Sequence, residues 1–244
     1  MGTMNASNWR RGRSAWPALA LLAAAALILS LGCASASPEG MIVVRGAESG
    51  SHLRLYVSGD ALLVDGYMAP GPQTGCRSQD RNTAICSFSE VDRIEVDMGP
   101  SSDKVEVLDA LPLPLTTYLG HGEDKLIGNS EPDICYPQGT KRNRCIGGGG
   151  EDVCITGPRN TDCVGGPGND YCKASTGSDG CWGGPGEDVC VMGPGQDGCH
   201  GEGGNDRLYG GPQPDQLYGG PGFDYCDGGP GIGKSHECEA GPGH

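Results

Sequence analysis

Beyond residue 40 the apolar positions come in short runs rather than long stretches. HLRLYV (52–57), ALLV (61–64), AICSF (84–88), DRIEVDM (92–98) and KVEVL (104–108) alternate or cluster over four to seven residues. Runs of that length with turn residues between them predict strands. Pro112 and Pro114 disfavour helix in the run to Tyr118. No segment after residue 36 carries a helical period, so residues 41–118 are expected to form an irregular β-strand segment.

The pattern then becomes periodic. Cys145, Cys154, Cys163, Cys172, Cys181, Cys190 and Cys199 follow one another at nine-residue spacing, and Leu208, Leu217 and Cys226 continue the series. Pro shares the spacing at 158, 167, 185, 194, 212, 221 and 230. Asp152, Asp170, Asp179, Asp188, Asp197, Asp206, Asp215 and Asp224 each stand two residues before the apolar position. Three residue types locked to one period define a repeat architecture. The clearest copies are GGGGEDVCI (147–155), GGPGNDYCK (165–173), GGPGEDVCV (183–191) and GGPGFDYCD (219–227). In each, glycine supplies the backbone freedom of a tight turn. The last three residues read as a strand whose middle side chain points inward. Carboxylate and carbonyl oxygens gathered in such a turn are hard ligands suited to Ca²⁺.

These copies resemble the RTX, or haemolysin-type, calcium-binding nonapeptide repeat. The resemblance covers residues 119–233 and reaches weakly upstream to MGPSSDKVE (98–106), where Asp and Val keep register. It implies an all-β fold: a parallel β-roll solenoid with two nonapeptides in each 18-residue coil, preceded by the irregular strand segment. Calcium ions are then held between the turns of successive coils. One repeat alone buries almost nothing, so stacking and metal stabilise it together.

An 18-residue coil places alternate repeats on the same edge. The strong series carries Asp152, Asp170, Asp188, Asp206 and Asp224. Turn carbonyls near Gly148, Gly150, Gly166, Gly168, Gly184, Gly186, Gly204, Gly220 and Gly222 join it as expected ligands. The other series carries Asp179, Asp197 and Asp215, and is weaker: Thr161 stands at an Asp position, and Gln213 replaces a glycine. Asp124 and Asp133 are candidates at the start of the roll. The expectation is about four to six Ca²⁺, with about four on the strong edge and about two on the weaker one.

Cysteine stands where this kind of repeat usually has Leu or Ile. In a two-sheet roll, positions nine apart face each other across about 10 Å, whereas positions eighteen apart are neighbours at about 4.8 Å. Ordinary disulfide geometry fits the second distance. The expected bridges are therefore Cys135–Cys154, Cys145–Cys163, Cys172–Cys190 and Cys181–Cys199, with Cys226–Cys238 closing a C-terminal cap (234–244) and Cys76–Cys86 an upstream loop. Pairing at spacing nine also uses every cysteine, and only a roll of ordinary thickness excludes it. Thiolate zinc sites favour close pairs such as Cys-x-x-Cys, which are absent here.

Composition agrees with this division. Gly (45), Pro (18) and Cys (13) are abundant and Phe occurs twice, which excludes an ordinary large core. A formal charge of −14 disfavours a nucleic-acid partner. Residues 1–36 hold Arg10, Arg11 and Arg13, an apolar run at 16–32 and the small stretch Ala34-Ser35-Ala36, the plan of an export signal. Leu31-Gly32-Cys33 resembles a loose bacterial lipobox, so lipid attachment at Cys33 and free secretion both stay open. Either route leaves 12 cysteines for an oxidising compartment. No second apolar span follows, so no transmembrane segment is expected after processing. HExxH, GxSxG and phosphate-loop motifs are absent, and no enzyme is expected. Trp182, Tyr209 and Tyr218 follow the inward position and should face solvent, where they could meet a cell-surface or carbohydrate partner.

Overall fold

The computed structural model describes residues 35–36, 40–46, 50–66, 76–79, 82–87, 91–108, 111–139, 141–231 and 233–241. The expected export signal (1–36) and Cys33 lie outside these residues, apart from Ser35 and Ala36. Every regular element among the described residues is a strand. Among the described residues no helix is long and apolar enough to cross a membrane.

The chain alternates between two sheets. In one, strands 41–45, 93–97, 115–120, 134–137, 153–155, 171–173, 189–191, 207–209 and 225–227 lie side by side in parallel. In the other, strands 52–58, 104–108, 125–127, 143–146, 161–164, 180–185, 198–203, 216–218 and 234–236 do the same. One strand from each sheet makes one coil, so the molecule is a parallel β-solenoid. The strands of 41–118 run in these same two sheets. Their irregularity is an inserted antiparallel hairpin, 61–65 with 83–87, and longer coils. Val105 pairs with Leu126, 21 residues on, whereas Cys154 pairs with Cys172, 18 residues on.

Coil length sets core width. Upstream strands of five to seven residues bury two side chains each, such as Ile42 and Val44, Leu53 and Leu55, or Ile94 and Val96. From residue 125 most strands shorten to three or four residues, and the inward line narrows to Leu126, the cysteines, Leu208, Leu217 and Cys226, with Ala174 and Met192 buried beside it. A core one side chain wide is filled by small residues, because the two sheets close onto it.

That closeness overturns the expected disulfide pattern. Cys135 is bridged to Cys145, Cys154 to Cys163 and Cys181 to Cys190, with Cα atoms 6.2, 6.3 and 6.5 Å apart. The expected Cys135–Cys154, Cys145–Cys163, Cys172–Cys190 and Cys181–Cys199 bridges do not form. The core is thinner than the about 10 Å of ordinary stacked sheets. Facing side chains therefore converge within disulfide range, while neighbours on parallel strands point the same way, side by side. Cys172 and Cys199 are buried free thiols. Cys226 is bridged to Cys238. Cys86 is disulfide-bonded, and strand register sets it opposite Cys76.

Residues 224–226 are tied to residues 238–240 by several contacts. Tyr225 bridges to Ala240, the Asp224 amide donates to Glu239 Oε2 at 2.8 Å, and the Cys226–Cys238 disulfide joins the same two segments. Strand 234–236 belongs to the second sheet, so the last coil continues through it.

Candidate calcium edges

Each nonapeptide turn stacks on its equivalent in the next coil. The Gly148, Gly166 and Gly168 amides donate to the Gly165, Gly183 and Pro185 carbonyls at 2.8–3.0 Å. Gly168 has φ +148, and a Cβ there would sit 1.6 Å from the Gly150 carbonyl oxygen. No other residue allows turns to approach this closely.

The Asp side chains form columns along both edges. On the strong edge the Asp133, Asp152, Asp170, Asp188 and Asp206 amides donate to Oδ1 of Asp152, Asp170, Asp188, Asp206 and Asp224, at 2.7–2.8 Å. On the other edge the Thr161, Asp179 and Asp197 amides donate to Oδ1 of Asp179, Asp197 and Asp215, at 2.6–2.9 Å. One carboxylate oxygen of each Asp thus fastens a coil to its neighbour. The second oxygen, Oδ2, is buried and has no hydrogen-bond partner in Asp152, Asp170, Asp188, Asp206, Asp224, Asp179, Asp197, Asp215 and Asp124. A buried carboxylate oxygen without a donor is costly. Repeated along both edges, it fits a divalent cation better than a turn cap.

The first glycine of each repeat completes the cradle. A Cβ on Gly147, Gly165, Gly183 or Gly201 would fall 2.0–2.3 Å from Oδ2 of Asp152, Asp170, Asp188 or Asp206. The carboxylate leans directly over that Cα. The sequence carries the signal for this role in the constant spacing of Gly147 to Asp152, Gly165 to Asp170, Gly183 to Asp188 and Gly201 to Asp206. Gly183→Ala is accordingly expected to displace Asp188 and to raise the calcium concentration needed for folding by ~10-fold, read as the midpoint of a calcium titration. That factor corresponds to about 1.4 kcal/mol.

Electrostatics point the same way. Burial, opposed by the backbone hydrogen bond and reinforced by neighbouring carboxylates, pushes Asp152 up to about 8. The same causes bring Asp188 and Asp197 to about 7. Burial also raises Asp124, Asp170, Asp179 and Asp206 to about 6, and raises Asp215 and Asp224. Without a counter-charge these groups are frustrated near neutral pH.

Two positions depart from the expected ligand set. Asp133 is buried, but its Oδ1 accepts the Leu115 amide and its Oδ2 the Asn129 amide, at 2.8 and 2.9 Å. Both oxygens are satisfied, so Asp133 caps a turn. Asp103 was visible only as an Asp in weak register, yet it is 4% exposed with Oδ2 unpartnered, and its amide donates to Asp124 Oδ1 at 2.8 Å. It extends the second edge upstream. Between Asp124 and Asp179 that edge carries Asn143 and Thr161 instead of Asp. There the Arg142 guanidinium reaches Asp162 at 2.8 Å, so an ion pair ties the coils where the carboxylate column is interrupted.

On the outer face of the second sheet, Trp182, His200, Tyr218 and His236 stack at ring-centroid distances of 5.9, 4.7 and 5.0 Å. Tyr209 leans on Tyr225 on the first sheet, at 5.7 Å. The expected outward aromatics are therefore half-buried against one another.

A family model, the RTX calcium-binding nonapeptide repeat (4 copies), matches residues 164–190 and 200–233. No curated protein and no solved structure matches the chain. With its coils, turns and buried carboxylates in place, the chain carries RTX calcium-binding nonapeptide repeats laid out as a β-roll.

Proposed function

We propose that this chain is an exported, non-enzymatic calcium-binding module, structural or surface-attached, whose β-roll folds on taking up calcium and is held by disulfides. The columns of buried, unpartnered Asp Oδ2 atoms carry this reading. Bound Ca²⁺ supplies positive charge to those oxygens and to nearby turn carbonyls. Asp152, Asp170, Asp188, Asp206 and Asp224 hold it on one edge, and Asp179, Asp197 and Asp215 on the other, with Asp103 and Asp124 as a separate pair. The protein's own part is to fasten each Oδ1 to the preceding coil, which fixes where Oδ2 points. Folding coupled to a cation suits a chain that stays unstructured until it reaches calcium-rich surroundings, whether it is then free or held by lipid at Cys33. Limited proteolysis tests the reading: calcium should protect residues 119–233, and chelator should expose them. Equal cleavage in both conditions contradicts it.

A second reading, a carbohydrate- or partner-binding module, draws support from one feature. A polar surface groove of about 430 Å³ is lined by Gln196, Pro214, Gln216, Tyr218, Lys234 and His236 among others. Its amides, phenol and ammonium suit hydroxyl groups. The stacked rings cover one another's faces, so Tyr218 and His236, which belong to both the column and the groove, would make contact through the groove rather than by ring stacking. A glycan-binding screen with the calcium-loaded chain decides: retention lost in Gln216→Ala supports it, and no retention removes it.

A further inference from the structure

The eight cysteines from Cys135 to Cys199 form a single file through the core, alternating between the sheets. Their bridges are out of phase. Cys135–Cys145 and Cys154–Cys163 each join a strand of the first sheet to the next strand of the second. Cys181–Cys190 joins a strand of the second sheet to the following strand of the first. The slip leaves Cys172 unpaired before it and Cys199 unpaired after it. Leu208 follows Cys199 in the file, so no later cysteine can take it.

Both phases fit the same backbone. Cα separations are 6.2 and 6.3 Å in the first phase and 6.5 Å in the second, all within disulfide range. Cys172 Sγ also lies within 4.8 Å of Sγ of both Cys154 and Cys163. By distance Cys172 is adjacent to the Cys154–Cys163 bridge, and by its place in the file it is next to Cys181 of the Cys181–Cys190 bridge, so the thiol has a bridge on either side. Only the first phase, carried through to Cys172–Cys181 and Cys190–Cys199, pairs all eight residues.

We propose that Cys172 and Cys199 form a site of oxidative modification at which the core takes up one more disulfide by changing phase. The Cys172 thiol, on losing its proton, attacks Cys181 Sγ. The Cys172–Cys181 bond forms, the Cys181–Cys190 bond breaks, and Cys190 leaves as thiolate beside Cys199. This step is an isomerisation without net oxidation. A low-molecular-weight disulfide such as oxidised glutathione then supplies the oxidising equivalents. Cys190 displaces one glutathione to give a mixed disulfide, and Cys199 displaces the second to give Cys190–Cys199. Two protein thiols are oxidised and one glutathione disulfide is reduced to two thiols. Cys199 is fully buried and Cys172 nearly so, so the reaction needs the roll to open.

The test uses the full chain, calcium-loaded and chelator-treated, incubated with oxidised glutathione and then alkylated in denaturant. Before treatment, intact mass should show alkyl groups on Cys172 and Cys199 in addition to Cys33, the thirteenth cysteine. Afterwards the chelator-treated chain should show two fewer. Cleavage at Asp separates the seven cysteines from Cys145 to Cys199, because Asp152, Asp162, Asp170, Asp179, Asp188 and Asp197 lie between successive ones, while Cys135 and Cys145 stay on one peptide. The mapped bridges should then be Cys172–Cys181 and Cys190–Cys199. Persistent thiols at Cys172 and Cys199 in both conditions would overturn the proposal. So would a direct Cys172–Cys199 bridge with Cys181–Cys190 retained, since no phase change would have occurred.

Discussion

Calcium-free protein is expected to gain β structure as the pH is lowered from 8 to 5. Asp152 is pushed up to about 8, Asp188 and Asp197 to about 7, and Asp124, Asp170, Asp179 and Asp206 to about 6. An unfolded Asp titrates near 3.9. Between these limits the folded roll binds more protons than the unfolded chain. Stability is thus fully present below the unfolded value and is lost as pH rises through 6 to 8. Each extra proton held by the folded state changes stability by about 1.4 kcal/mol per pH unit. Several such groups acting together rival the ~5–15 kcal/mol total of an ordinary domain. Protons and calcium should therefore act as alternatives: acid offsets the loss of metal, and metal makes neutral pH tolerable. Circular dichroism of the metal-stripped chain across this range measures the effect. A β signal that falls on acidification contradicts it.

Asp188→Asn should produce opposite effects in the two states. Asp188 lies mid-column, with its Oδ1 accepting the Asp170 amide and Asp206 and Asp170 as charged neighbours. The Asn carbonyl can keep that hydrogen bond, while the negative charge is lost. The calcium-free chain at neutral pH should become more stable, because one buried like charge is removed. Calcium should bind ~10-fold or more weakly, because a hard anionic ligand has become neutral. Thermal melts with and without calcium measure both terms. A purely structural Asp predicts the same sign of change in each condition, and that outcome removes the metal reading of this column.

Much of this molecule was legible from spacing alone. The nine-residue period of Cys, Pro and Asp, with its 18-residue coil, placed Cys154, Cys172 and Cys190 on one sheet and Cys163, Cys181 and Cys199 on the other. It also separated the two Asp columns. The disulfide phase was not legible, because it depends on sheet separation. A file of cysteines lets the sheets close to a Cα distance of 6.2–6.5 Å, and a period cannot carry that length. Asp133 and Asp103 mark a second limit. Asp133 loses its free oxygen to the Asn129 amide, through a turn conformation that composition does not encode. Asp103 sits on a 21-residue coil, where the 18-residue rule no longer finds its neighbours. The upstream strands look irregular for the same reason, although they share both sheets with the repeats.

The central claim is that calcium, through the buried carboxylate columns, stabilises this roll. The most direct measurement is circular dichroism of the fully reduced chain at neutral pH, first in chelator and then in excess Ca²⁺. With the bridges removed, no covalent cross-link remains between the coils. A disordered spectrum in chelator that turns to β on adding calcium is the predicted result. The same β spectrum in both conditions would contradict it.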